Sequence, residues 1–456
     1  MSPLVPVVMF GWIPVVLALF AKLPARTAVI AGFMVAWLFL PMASYPLPGI
    51  PDYTKMSATC AGVFLAAAIY DSERLKRFRP EWVDLFMAIW FLSALPSSLV
   101  NGLGAYDGTA VAFEQFVKWG MPYLVGRLYL GDLDGLRQLA TAMVISGLAY
   151  VPFCVFELIM SPQLHNMFYG FHQHHFAQTM RDGGFRPMVF MQHGLMAATW
   201  MTSASLLGIW LWFCGSLRSF LGIRMEFWLL ILVPVTFALK SMGAVSLLIM
   251  GLGVLIVTSI TRKGILIGLM LIIPIVYMVL RGGGWWTGDN LVSQIEKIHE
   301  ERAASLQFRL DNEAILAEKA MIQPVFGWGG WGRALIYDED GKKISVTDGL
   351  WVIVLGERGI FGLTFLTLVI LGPVCMLAYR YPVKNWGQSD IAPASGLAML
   401  LILYMIDSLL NAMVNPIFML AAGGLMGLKT TLVESDTALS AGETLPVYMP
   451  HGTRFL

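Results

Sequence analysis

The sequence predicts an all-α, polytopic integral membrane protein with about twelve or thirteen spanning helices and one large external loop. Three observations carry that expectation. Hydrophobic residues make up 57% of the chain and charged residues only 13%, about half the roughly 25% charged share of a soluble domain. Apolar runs recur from end to end, and a spanning helix needs about 20 mostly apolar residues. One long polar stretch, residues 282–348, interrupts those runs late in the chain. In lipid every backbone polar group must be satisfied within a helix or a closed barrel, so runs of this length read as helices.

Hydropathy places spans near 4–20, 27–43, 56–71, 83–100, 108–130, 139–160, 188–213, 226–240, 243–260, 264–281, 349–379, 391–412 and 416–429. Pro14, Pro152, Pro234 and Pro274 fall inside spans, where neighbouring helices re-satisfy the backbone. No repeat and no soluble domain stands out. The expected organisation is N-terminal spans over 1–281, an external loop over 282–348, C-terminal spans over 349–429 and a polar cytoplasmic tail over 430–456. The opening residues, Met1 to Trp12, carry no basic stretch, so a cleaved signal peptide is not expected.

Short basic loops stay in the cytoplasm. Arg74, Lys76, Arg77 and Arg79 form the clearest cluster, and Arg218 with Arg224, Arg262 with Lys263, and Arg380 with Lys384 fall on the same side. Residues 44–55, 161–187 and 282–348 then face outward. ATP is absent there, so chemistry on that side needs a pre-activated substrate. A net charge of +1 offers nothing to attract nucleic acid. Cys60, Cys154, Cys214 and Cys375 all sit in apolar segments without the CxxC spacing of a metal or redox site, and read as small packing residues.

The polar stretch from Ser305 to Gly362 holds most of the candidate chemistry. Arg309 opens an apparent amphipathic helix, Phe308 to Met321, and reads either as a solvated surface charge or as an anion ligand. Glu313 lies four residues on, the spacing of an ordinary helical ion pair. Gly327, Gly329, Gly330 and Gly332 lack the strand and βαβ unit of a dinucleotide fingerprint, and read as a tight turn interleaved with Trp328 and Trp331. Those two indoles fit a bilayer interface or the face of a sugar. Asp348 reads as a general base for a hydroxyl or as the cap of the helix after it.

Outside that stretch, Arg186 follows two glycines and precedes Pro187 at a span mouth, as a snorkelling anchor or a phosphate ligand would. Lys240, at another span end, offers the same two readings. His193 is an interface histidine or a substrate contact. His165, His172, His174 and His175 crowd one outer loop, but H-x-H-H is not a closed zinc set, and no metal is expected. Asp338 to Gly341 reads as a turn. Glu114 and Lys118 lie in an apolar span at i,i+4 spacing, where ionisable groups are costly and functional by default. Asp407 and Asn411 share a helix face and read as packing hydrogen bonds.

Several of these pieces occur in a recognisable order. Arg309, Glu313, then Pro324, Val325, Phe326, Gly327, Trp328 and Gly329, then Thr347 with Asp348, then Gly359 to Gly362 resembles the O-antigen ligase and O-antigen polymerase superfamily. Gly184, Phe185, Arg186 and Pro187 resemble that family's upstream arginine motif, and Leu239 to Gly243 resembles its Ser-Arg step with Lys240 displaced from the usual basic position. The resemblance implies an undecaprenyl-diphosphate-linked glycan as donor and a glycan or glycolipid hydroxyl as acceptor. It implies an inverting transfer at the outer face of a bacterial inner membrane, needing no metal, nucleotide or other cofactor, with room for chain-length or export partners. Arg186, Arg309 and Lys240 would then hold the diphosphate. Asp348 and Glu313 would be the catalytic carboxylates, and Trp328, Trp331 and His193 the substrate contacts. Asp348 stands where ligase members often carry a histidine, which tilts the expectation toward polymerisation. A lipid-linked glycan flippase and a SEDS-type peptidoglycan polymerase are the alternative expectations.

Overall fold

The computed structural model describes residues 1–429 apart from positions 48, 49, 182 and 298, so the expected tail over 430–456 lies outside the described residues. The described chain is mostly helical. It opens with α1 (Leu4–Lys22) and α2 (Ala25–Phe39), a hairpin of β1 (Ser44–Leu47) and β2 (Ile50–Thr54), and α3 (Lys55–Tyr70). The short α4 (Ser72–Arg77) leads to α5 (Leu85–Leu92) and α6 (Ala94–Val100). Next, α7 (Gly104–Gln115) and α8 (Met121–Tyr129) are joined by a π-helical turn at Phe116–Gly120. Then come α9 (Leu133–Met160), α10 (Leu164–Tyr169), the two-residue strands β3 (Met180–Arg181) and β4 (Gly184–Phe185), and α11 (Gly194–Phe213). Strands β5 (Ser219–Phe220) and β6 (Ile223–Arg224) precede α12 (Met225–Ala238), α13 (Met242–Thr261) and α14 (Ile265–Gly282). The polar stretch folds into α15 (Asp289–Glu296) and α16 (Glu300–Ala320) before α17 (Leu350–Arg380), α18 (Ala392–Asp407) and α19 (Pro416–Gly427).

Each expected span coincides with a helix or a run of helices. Seven are long and apolar enough to cross a membrane, and five more are apolar but shorter. Their outward faces are apolar, with Leu230, Ile260, Ile265 and Ile272 all exposed, which suits contact with lipid. The boundaries differ from expectation where a cap decides them. The span expected from 188 starts at Gly194, because Val189 turns to the left-handed region at φ 54° and His193 caps the helix, its Nδ1 accepting from Leu195 N at 3.0 Å. The span expected to run to 412 stops at Asp407. The carbonyls of Ser408 and Asn411 turn to receive the first amide of α17, Leu350 N, at 2.9 and 3.2 Å. The loop helix, expected over 308–321, runs from Glu300 to Ala320.

The basic turns and the polar stretch lie at opposite ends of these helices. At the basic end Arg127 pairs with Asp84 at 2.8 Å, Arg137 with Asp390 at 3.0 Å, Arg26 with Asp132 and Asp134, and Arg380 reaches Met426 O at 3.0 Å. At the other end Arg186 meets Ser241, Arg309 meets the 410–411 turn, and Arg333 reaches Asn101 O. A cysteine at position 340 is expected to react with a membrane-impermeant reagent in intact cells, and one at position 75 to be protected. The reverse pattern would overturn the orientation.

The 31-residue α17 is broken at Gly359, whose φ of 65° and ψ of −167° no helix contains. A break there costs the bonds that Ile360 and Phe361 would make one turn back, to Gly356 and Glu357. The strap Pro324–Gly329 supplies all four missing partners. Trp328 N donates to Gly356 O at 2.8 Å and Gly329 N to Glu357 O at 3.0 Å, while Ile360 N donates to Pro324 O at 2.7 Å and Phe361 N to Val325 O at 3.1 Å. The backbones must touch to do this. A Cβ on Gly327 would lie 2.6 Å from Arg358 N, and one on Gly359 would strike Val325 O. The glycine motif of the loop and the glycine motif of the helix are therefore two halves of one main-chain clasp.

Candidate functional site

Two arginines near the loop helix show contrasting behaviour. Arg281, at the end of α14, is 5% exposed, and Glu313 on α16 is 4% exposed. Arg281 Nε donates to Glu313 Oε1 at 2.6 Å, Nη2 to Leu310 O at 2.6 Å, and Nη1 to Thr287 O and Trp286 O at 2.8 and 3.0 Å. Tyr277 Oη reaches both Glu313 oxygens at 3.0 and 3.1 Å, and Trp351 Nε1 donates to Oε2 at 2.9 Å. This carboxylate is fully occupied. It anchors α16 to α14 and α17, and Glu313, expected as a catalytic carboxylate, also borders the cleft that holds Arg309 and Asp348. Its partner is Arg281, 32 residues upstream, and not Arg309 one turn before it.

Arg309 is held loosely. Its Nη1 lies 3.4 Å from both Leu410 O and Asn411 Oδ1, and its Nε lies 3.7 Å from Asp348 Oδ2. Contacts of that length are weak, so its donors remain available. Its side chain is 25% exposed and that of Asp348 35%, and both line a narrow cleft with Gly349 and Leu410. Asp348 does not cap α17, since Gly349 takes that position with no side-chain bond.

The upstream motifs meet each other. Arg186, buried just after β4, donates from Nη2 to Ser241 Oγ at 3.1 Å. Lys240 lies in the left-handed region at φ 54°, in the turn between α12 and α13, and its Nζ packs so closely on Gly184 that a Cβ there would collide with it. Asp407, at the end of α18, lies within electrostatic reach of both Arg186 and Arg309. Asn411 Nδ2 donates to Asp407 Oδ1 at 2.8 Å, as the shared face predicts, and Asn411 Oδ1 also faces Arg309. Arg186 and Arg309, 123 positions apart by their numbers, thus both lie within electrostatic range of one carboxylate.

The expected substrate contacts divide. Trp328 donates from Nε1 to Lys319 O at 2.9 Å and lies under the Lys319 ammonium, so it fastens the strap to α16. Trp331 is 81% exposed and donates to Asp107. The His193 ring stacks edge-on at 4.7 Å from that of His174. Asp338 to Gly341 forms the expected turn, with Asp338 N bonded to Lys342 O at 3.0 Å. Among the described residues no group of three His, Cys, Asp or Glu side chains is placed to hold a metal. Glu114 and Lys118 line one cavity with Glu357 and Arg358. Sequence reasoning passed over Arg281, Glu357 and Arg358. For the last two a signal existed, since adjacent charges inside an apolar run are costly.

The histidine loop has one structural member. His165 is buried, its Nε2 accepts from Met42 N at 3.1 Å, and its Nδ1 faces Phe171 O at 2.9 Å. Burial holds its imidazole down at about 4. Between pH ~6.5 and that value the unfolded histidine binds a proton and the folded one does not, so stability falls as pH drops through the window. Thermal unfolding followed from pH 7 to 4.5 should show a shallower acid loss in His165→Gln. Identical slopes would overturn this.

No known protein-family model matches this chain, and no curated protein matches it.

Proposed function

We propose that this chain is a membrane glycosyltransferase of the O-antigen ligase and polymerase type. It moves a glycan from an undecaprenyl-diphosphate carrier to a hydroxyl of a second glycan or glycolipid on the outer face of the membrane. The observation that carries the reading is the placing of Arg309 against Asn411 and Asp348, with Arg186, from a separate part of the chain, within electrostatic range of the same Asp407 turn. Two guanidinium groups suit a diphosphate leaving group, whose charge grows as the glycosidic C–O bond breaks. Asp348 takes the proton from the acceptor hydroxyl while that oxygen attacks the anomeric carbon from the opposite face, giving inversion. Polymerisation is favoured over ligation, because a carboxylate stands where ligase members often carry histidine.

The test is chain growth on a lipid-diphosphate glycan by the purified protein, without nucleotide and with chelator present. Activity abolished by chelation and restored by Mg²⁺ or Mn²⁺ would overturn the metal-free mechanism and turn attention to Asp338 and Asp340. One observation favours a second reading. The break in α17 and the charges beside it are features of transporters. Reconstituted vesicles separate the two: labelled donor that crosses the bilayer with no new glycosidic bond marks a flippase.

A further inference from the structure

Two backbone irregularities face each other across a cavity that borders the arginine site at Leu350 and Ala412. One is the π-helical turn Phe116–Gly120, and the other is the break at Gly359. Irregularities of both kinds gather at functional positions. The cavity between them, of about 450 Å³, is lined by Glu114, Lys118, Glu357 and Arg358 with the indoles of Trp90 and Trp119. Glu114, Lys118 and Trp331 also line a larger, mostly apolar cavity of about 660 Å³ that runs to Trp37.

Arg358 is the unusual member. It is 3% exposed, its guanidinium sits 4.6 Å over the Trp90 ring, and its Nη1 has no hydrogen-bond partner. A buried, unmatched guanidinium donor is costly and persists where something supplies the acceptor. The four charges act on one another electrostatically. A ligand that completes them must accept from Lys118 and Arg358 and donate to Glu114 and Glu357. Phosphate oxygens do the first and sugar hydroxyls the second, while indole faces suit a sugar ring. The adjoining apolar cavity has the size of a hydrocarbon-binding pocket.

We propose that these joined cavities form a second substrate site, which takes the phosphorylated sugar head of a glycolipid at Lys118 and Arg358 and its chain along the wall toward Trp37. The inference rests on the reading above in one respect: with the donor at Arg186 and Arg309, this site belongs to the acceptor, which then carries its own lipid phosphate.

The probe is N-acetylglucosamine linked through diphosphate to farnesol, counted by native mass spectrometry on the purified full-length protein. Wild type should bind two equivalents. Lys118→Gln and Arg358→Gln should each bind one, and Lys118, which is exposed, can be replaced without threatening the fold. Arg309→Ala should lose the other equivalent only. Loss in Lys118→Gln with none in Arg309→Ala upholds this site and removes the donor reading. Two equivalents retained in Lys118→Gln overturn this site whatever Arg309 does. N-acetylglucosamine 1-phosphate, lacking the chain, should bind here at least about tenfold more weakly. Equal binding would make this a soluble sugar-phosphate site, and displacement of the probe by phosphatidylglycerol would make it an ordinary lipid site. Either result overturns the proposal.

Discussion

Replacing Glu313 with alanine is expected to release the loop helix α16 and lower stability by about 3–5 kcal/mol, the usual cost of stranding one partner of a buried ion pair. Arg281 would stay buried at the end of α14 with its Nε unmatched, and Tyr277 and Trp351 would each lose an acceptor. Glu313→Gln keeps the shape and some of these bonds, so its loss should be smaller. Arg281→Met combined with Glu313→Leu removes both charges and should recover much of the deficit. Thermal unfolding and limited proteolysis of residues 300–320 read the effect. A catalytic Glu313 would behave in the opposite way, with activity lost at unchanged stability and unchanged protease resistance. That outcome would overturn the anchoring role.

The helices were legible because hydropathy is additive and local: an apolar run of spanning length reads as a helix whatever packs against it. Features that depend on a distant partner were not. Gly359 lies in an apolar run and reads as one more helix glycine. Its break is closed by residues Pro324 to Gly329, and only the fold brings that strap to it. Arg281 has the signature of Arg186, a cation at a span end, yet one is spent on an anchor and the other lies beside Ser241 and Asp407. Tyr277 and Arg281, one turn apart on the same face of α14, were the available hint of a polar partner. The i,i+4 rule made Arg309 and Glu313 a natural pair. Burial overrode it, since Arg281 offers Glu313 a shorter and drier contact than a partly exposed neighbour can. The candidate site was legible in part for the same reason. Its arginines could be named from sequence, but Asp407, the carboxylate within electrostatic range of both, looked like a packing residue.

Arg309→Ala is expected to cost roughly ten- to a hundredfold in glycan transfer, the worth of one charge-assisted contact of about 1.5–3 kcal/mol to a buried phosphate. Stability should hardly change. The 3.7 Å contact with Asp348 joins two partly exposed groups, and pairs of that kind contribute about 0–1 kcal/mol. The split between activity and stability is thus the reverse of that at Glu313, though the two residues sit one helical turn apart on α16. Arg309→Lys keeps the charge but loses the planar fork, so it should recover only part of the rate. Arg186→Ala should lose a similar factor in transfer, but it removes a buried side chain bonded to Ser241, so a stability loss accompanies it. Arg309 is therefore the cleaner probe. Lys342→Ala and Lys343→Ala, exposed in the turn beyond Asp338, should change little. A diphosphate bridging Arg186 and Arg309 would draw α16 down over the cleft and keep water from the anomeric carbon, so the single variants should also raise hydrolysis relative to transfer. Near-full transfer by folded Arg309→Ala would mean that the loop helix only shapes the protein, and the active site would have to be sought elsewhere.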